Sequence, residues 1–188
     1  MELILLEIKV LNCDVSDVSV DAVVVNLFEG VTSPGGATGV LDLAIGGLIS
    51  HLIKDGEITG SENELTLIHT PNTVFNGVES SRVLIVGLGP ADSFSLNTVR
   101  RVSASVIRKL RATGVQKAAT VVHGAGTGGI GITDCAQAVT EGSLLGAYRF
   151  LKYKTTDKNR KPDVEQLTLI ESDSSKISAI QRGVNKGV

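Results

Sequence analysis

No apolar run in this chain reaches the roughly 18 residues that a membrane-spanning helix needs, and the opening MELILLEIKV lacks a basic stretch and a cleavage site. A soluble chain that stays in the cytoplasm, away from membranes, is the expectation. The two cysteines, Cys13 and Cys135, lie 122 residues apart with no CxxC, so buried free thiols are expected rather than a disulfide or metal pair. None of the three histidines, His51, His69 and His123, has a second ligand at HxxxH spacing, and each reads as a surface or strand-end residue. A nucleophile elbow of the GxSxG type is missing, and no two carboxylates stand out as an acid/base pair. The formal charge of −2 offers no general attraction for nucleic acid or acidic lipid. Internal repeats and low-complexity tracts are also lacking.

What the 188 residues do contain is core: 42% are hydrophobic, enough for one α/β domain or one domain with a tail. The segment from Arg82 to Ile132 organises the rest. Val83–Val86 is continuously apolar and ends in Gly87 and Gly89, the pattern of a strand covered on both faces. Leu96, Val99, Val102, Val106, Ile107 and Leu110 then recur at helical spacing. Arg100, Arg101, Arg108 and Arg111 gather on the other side at roughly 100° per residue, a stripe that reads as solvated. Gly114 suits a left-handed helix end, and Lys117–His123 forms a second buried strand. One βαβ crossover results, with its strands parallel neighbours or near neighbours.

Elsewhere, Glu2–Val10 reads as a first strand, at an edge because Glu7 and Lys9 tolerate solvent. Asp21–Leu27 is a buried strand. A loop from Glu29 to Gly39 leads to a helix over Val40–Ile53, whose packed side is Leu41, Ala44, Ile45, Leu48, Ile49 and Leu52 and whose first turn holds Asp42. Asp55-Gly56 marks a turn, and Pro71, Asn72 and Asn76-Gly77 separate a strand at Leu65–His69 from the next at Arg82. Thr133 or Asp134 caps a helix reaching about Leu151. A charged connector covers 152–164, a last strand spans Leu167–Ile170, and a helix occupies Ser175–Val188. Five or six mostly parallel strands with helices on both faces make a three-layer α/β/α sandwich.

GAGTGGIG at 124–131 contains GxGxxG twice in overlap, between a strand and a helix. As a dinucleotide fingerprint it is poorly placed, because that motif wants an acidic residue ending the next strand about 20 residues on. Here Glu171 ends it, 40 residues beyond Gly131. A glycine-rich loop at a helix start can still cradle an anion through backbone N–H groups.

Two resemblances attach to these residues. DAVVVNLFEGV at 21–31, VLIVGLGPADSFSLNTVRRVSASVIRKL at 83–110 and EGSLLGAYRFLKYK at 141–154 resemble, in order, the N-terminal domain of the leucyl aminopeptidase (cytosol aminopeptidase) family. ISAIQRGVNKGV at 177–188 is similar to the helix joining the halves of such enzymes. The resemblance implies a hexameric exopeptidase that removes N-terminal residues such as leucine. Its two divalent metals, zinc or manganese, and all its catalytic residues lie in a C-terminal domain signed by NTDAEGR, which is absent from these 188 residues. It therefore implies residues 1–174 as a macro-like N-terminal domain and 175–188 as the start of a linker helix. No catalytic or metal-binding residue is expected in this chain, and its partner would be its own catalytic domain.

The second resemblance is to macro domains, ADP-ribose binders of the same layered fold. Asp14 and Asp21 keep that family's seven-residue spacing, GVLDLAI at 39–45 is similar to its GVDGAI loop, and GTGGIG at 126–131 to its phosphate loop. Carried over, Asp14 would accept from the adenine amino group, and the backbone near Gly39, Val40, Thr127, Gly128 and Gly129 would hold the diphosphate. The macro NAAN is replaced by Val25-Asn26-Leu27-Phe28, and one residue is added in each of the first two motifs.

Overall fold

Val23, Val24 and Val25 form an unbroken β-branched run with no accessible surface, so the strand that carries them must be covered on both sides. The computed structural model, which describes residues 6–71, 77–125, 129–148 and 161–188, shows how. Six strands, β1 (Glu7–Asn12), β2 (Ala22–Leu27), β3 (Leu65–His69), β4 (Arg82–Gly87), β5 (Lys117–Val121) and β6 (Gln166–Glu171), form one sheet. Their order is β1-β6-β5-β2-β4-β3. All neighbours are parallel except β3, which runs antiparallel to β4 with Leu65 opposite Val86. The expected edge position of the first strand holds, and the two strands of the central crossover are near neighbours with β2 between them.

Side chains alternate between two cores. Ala22, Val24, Leu84 and Val86 join one apolar cluster with Val99, Val106, Leu110, Ala138, Val139 and Ile180. These last come from α3 (Leu96–Thr113), α4 (Ile132–Ala147) and α5 (Ile177–Gly187). Val23, Val25, Val83 and Ile85 join the opposite cluster with Leu41 of α1 (Gly36–Ala44), Ile45 just past its end and Ile49 of α2 (Leu48–Lys54). The three layers are those expected.

Several local expectations give way. The single helix over Val40–Ile53 is two helices, bent by 108° at a break around Gly46 and Gly47, whose φ angles are 72° and 80°. That left-handed backbone is easy only for glycine. The first of the pair begins at Gly36, so Gly39 is helical rather than part of the loop. Asp42 therefore stands near the end of α1, not in its first turn. Its buried carboxylate instead accepts from the Ser50 N–H at 3.0 Å and from the Ser50 hydroxyl, capping α2 from outside.

The arginine stripe of α3 is only partly solvated. Arg100 Nε donates to Glu141 of α4 at 2.6 Å, Arg101 Nε donates to Glu62 at 2.8 Å, and Arg111 donates to the Ala147 carbonyl at 3.3 Å. Burial alone would raise the Glu141 carboxyl, but hydrogen bonds from Gln137 and Arg100 and the guanidinium charge hold it below its ordinary value. The α3–α4 approach is close because Gly142 and Gly146 lie against the backbones of Arg100 and Ala104, where any side chain would collide. On the other flank of α4, Gly183 and Gly187 of α5 meet Thr133, Gln137 and Thr140 in the same way.

α4 starts one residue after its N-cap Gly131, so neither Thr133 nor Asp134 caps it, and it ends at Ala147. The expected extension to Leu151 and most of the 152–164 connector lie outside the described residues, as does most of the first half of the Glu2–Val10 strand. β1 itself runs on to Asn12, and β5 stops at Val121 with His123 in the turn beyond. No single helix among the described residues is long and apolar enough to cross a membrane.

Candidate functional site

Parallel strands present their carboxyl ends together, and in open α/β sheets ligand crevices lie there. The ends of four strands converge on a cleft of about 1140 Å³ here: Cys13 and Asp14 after β1, Asn26 to Phe28 at β2, Val121, Val122, Gly124 and Ala125 at and after β5, and Ile170 to Ser172 at β6. The starts of two helices close it. Gly35 to Thr38 supply one wall from α1, and Gly131 and Ile132 supply another from α4.

Neither helix start carries a side-chain cap: the N-caps are Gly35 and Gly131. The earliest N–H groups of a helix lack an acceptor within it, so both ends offer donors and a positive dipole end, although at α4 the Asp134 N–H already donates to the Gly131 carbonyl at 3.1 Å. Two such ends facing one cleft suit an anion or a strongly polarised ligand. The charged side chains around them are mixed. Asp14 and Glu171 are carboxylates, and Lys176 Nζ lies 3.8 Å from Glu171 and 3.5 Å from Asp173. The grip available to an anion is therefore mainly backbone.

Phe28 lines the cleft, whereas Phe94 is its ring partner outside the lining. Phe28 and Phe94 meet edge to face with ring centroids 5.2 Å apart and planes at 81°. The Phe94 ring lies so close to Gly124 that a Cβ there would overlap it, and Gly124 takes a φ of 70°. A glycine is required at that position twice over, by conformation and by contact.

Of the residues singled out by the sequence, Asp14 and Val40 line the cleft. Asp14 Oδ1 accepts from the Ser16 N–H at 3.1 Å and the Ser16 hydroxyl at 2.9 Å, which fixes the carboxylate in a turn. Gly39 lies inside α1, and its N–H already donates to the Gly35 carbonyl at 3.0 Å. Gly129 has the positive φ of 74° proper to a tight loop beside the lining residue Ile130. Thr127 and Gly128 lie outside the described residues. Asp21 is elsewhere: at the opposite end of the sheet its Oδ2 accepts from the N–H groups of Gln116 and Lys117, both at 2.9 Å. Asn26, Phe28, Gly35 to Thr38, Glu171 and Lys176 were not singled out as site residues. A signal existed for all but Lys176, since Asn26, Phe28 and Glu171 lie at or directly after the end of an expected strand and SPGGATGV carries the paired glycines of a helix start.

Among the described residues of the cleft, none assembles a nucleophile with a base. Cys13 Sγ donates to the Asp14 carbonyl at 3.3 Å, and its thiol is raised by burial and by the nearby Asp17 and Asp14 charges. Cys135 is buried, with its thiol pushed up to about 11 by burial and by Asp134. Among the described residues no three His, Cys, Asp or Glu side chains gather as a metal site. His69 and His51 are exposed, His51 pairing with Asp55 at 3.2 Å. His123 is a strand-end residue but is 1% exposed, not a surface one.

The layered sheet and its strand-end cleft define a macrodomain-type fold. The chain overlays a Trypanosoma brucei macrodomain solved with ADP-ribose at a TM-score of 0.71 and 14% identity, covering 95% of this chain and 69% of that one. It overlays a mutant tomato leucine aminopeptidase at 0.72 and 17% identity, covering 96% of this chain and 35% of that one. Sequence narrows the class: residues 24–157 match the family model described as "Cytosol aminopeptidase family, N-terminal domain". A protein of Alkaliphilus metalliredigens named "Probable cytosol aminopeptidase" is 33% identical over 183 residues, 97% of this chain and 36% of its own length. This chain belongs to the cytosol aminopeptidase family, as a version of its N-terminal domain. It spans about a third of the length of the curated relatives that it matches over nearly its whole length.

Proposed function

We propose that this chain serves as the non-catalytic front part of a metal-dependent aminopeptidase, contributing to assembly and to the access of peptides. Residues 1–174 form the macro-like body in this reading, and 175–188 lead toward a catalytic domain that holds two divalent metals, zinc or manganese. The whole enzyme would be a cytoplasmic hexamer that releases N-terminal residues such as leucine. The observation that carries the reading is family membership through the N-terminal domain, joined to relatives nearly three times as long. The described residues offer the metals no ligand cluster, so hydrolysis is assigned to the remainder of the enzyme. The test is release of leucine from a chromogenic amide with manganese: the full-length protein is active and the 188-residue chain is inert. Turnover by the short chain would overturn the assignment.

A second reading is favoured by the cleft itself, with two uncapped helix starts facing a volume of about 1140 Å³. It is a binding site for ADP-ribose or a related nucleotide, as in the macrodomains that share the fold. Asp14 would take the adenine amino group, and the first turns of α1 and α4, with the loop at Gly129, would hold the diphosphate. Calorimetry with ADP-ribose tests it. Binding should weaken in Asp14→Ala and vanish in Gly131→Asp, which places a carboxylate at the helix start and caps α4 as well. A flat titration at millimolar nucleotide removes this reading and leaves the first untouched.

A further inference from the structure

β1 lies at the border of the sheet, and no described strand pairs with its outer side. The Glu7 N–H donates to the Glu165 carbonyl and the Cys13 N–H to the Glu171 carbonyl, so the odd-numbered residues of the strand turn their backbone groups toward β6. Those of Ile8, Val10 and Asn12 therefore point outward, because backbone directions alternate along a strand. Edges of this kind are ordinarily blunted by proline, a bulge or unmatched charge. β1 has no proline, and its register with β6 runs without a break from Glu7 beside Gln166 to Asn12 beside Glu171.

The side chains sort by face. Ile8 and Val10 pack against the core that holds Ile180 and Val184 of α5, whereas Glu7, Lys9 and Leu11 are exposed. Glu7 and Lys9 are the only charges of the strand, and they are opposite in sign. Lys9 Nζ lies 3.1 Å from Glu7 and donates to Gln166 at 2.8 Å, yet the two charged side chains keep 48% and 58% of their surface open.

A second copy can meet this edge antiparallel, about a twofold axis, only in registers that set outward backbone groups against outward ones. Each such register centres on one residue. Centring on Glu7 or on Lys9 brings that charge against its own copy. Centring on Val10 leaves Lys9 facing Leu11, and centres further along pair fewer residues. Centring on Ile8 places Glu7 opposite Lys9 of the second copy, and Lys9 opposite its Glu7. Both pairs then occupy the non-hydrogen-bonded positions, where Cα atoms approach to about 4.5 Å and side chains are closest. Ile8 exchanges backbone bonds with its own copy, and Val10 does so with Leu6 on each flank.

We propose that β1 is an interaction surface for a second copy of this chain, joined antiparallel about Ile8 so that the two sheets run on as one and Glu7 and Lys9 pair reciprocally across the junction. A contact confined to one strand pair belongs below the roughly 1,200 Å² of standard interfaces, so association is weak and depends on concentration. It needs nothing but this chain and stands apart from the aminopeptidase reading.

The test is sedimentation velocity of the 188-residue chain from micromolar to millimolar concentration, with hydrogen exchange followed by NMR over the same range. Monomer gives way to dimer, and the amides of Ile8 and Val10 slow several-fold while those of Lys9 and Leu11, already turned toward β6, change little. Lys9→Glu and Glu7→Lys each abolish the dimer by setting like charges opposite. An equimolar mixture of the two variants restores it, since each supplies the sign the other lacks. A chain that stays monomeric at millimolar concentration overturns the proposal, and so does a dimer that survives Lys9→Glu or leaves Ile8 unprotected. The exchange pattern is read on the unaltered chain and decides the matter without any variant. None of these results bears on whether a longer form releases leucine.

Discussion

His123 is the one imidazole removed from solvent, and its surroundings treat it as a neutral group. Thr120 Oγ1 lies 3.3 Å from Nε2, Nδ1 has no partner, and burial pushes the ring down to about 4 from 6.5. Between those values the unfolded chain takes up a proton that the folded chain refuses, so stability falls as pH drops through the window. The full contribution is present above 6.5 and is lost by about pH 4, some 3 kcal/mol in all. Urea titrations from pH 7.5 to 4 should show that slope, and His123→Gln should flatten it. The two aspartates at seven-residue spacing separate just as cleanly. Asp21→Ala strips an acceptor from two backbone N–H groups and should cost about 2 kcal/mol in urea unfolding without touching the cleft. Asp14→Ala should do the reverse, with little loss of stability and any nucleotide affinity reduced. Spacing alone picked out both residues, yet it carries no information on which end of a sheet a loop occupies. That is why only Asp14 reached the cleft.

Helical elements were legible wherever a single surface imposed their period. α3 buries one face in the core shared with the sheet and α4, so Val99, Val102, Val106 and Leu110 showed it directly. The α1–α2 bend escaped notice because Leu41, Ile45 and Ile49 all return to one cluster on either side of the turn. A 3-to-4 spacing survives a sharp bend when both arms face the same core. The glycines held the missing signal. Gly47→Ala forces a side chain into a φ of 80° and should cost about 1 kcal/mol, although open space surrounds the position. Gly142→Ala should cost about 1–3 kcal/mol for the opposite reason, an ordinary conformation pressed against the Arg100 backbone. Thermal melts of the two variants with Gly35→Ala, which meets nothing within 4 Å, would rank them. The arginine stripe was misjudged because amphipathic spacing identifies the polar face of α3 without naming its neighbours. Glu141 and the carbonyl end of α4 proved to be among them.

At the scale of the whole molecule, the strands were readable and their order was not. Apolar runs reveal that both faces of β2 and β4 are covered, but pairing between distant strands is decided only when the layers assemble. The same holds for the cleft, whose walls come from segments as far apart as Cys13 and Lys176. Central position should show in backbone dynamics. Amides of β2 should exchange hydrogen slowest, through global unfolding, and those of β1, with exposed Glu7, Lys9 and Leu11, fastest among the strands. Hydrogen exchange read by mass spectrometry would check this, and equal protection would show that the edge is covered by something further.

The first strand in the chain pairs with the last, Glu7 beside Gln166 through Asn12 beside Glu171. During synthesis β1 therefore leaves the ribosome some 160 residues before β6, its neighbour among the described strands. Until that neighbour arrives, the nascent chain holds an unpaired strand, and the β5 edge that β6 will cover lies open. This border of the sheet can form only once β6 has been made, so a message cut short before β6 yields a protein missing its border rather than a smaller working one.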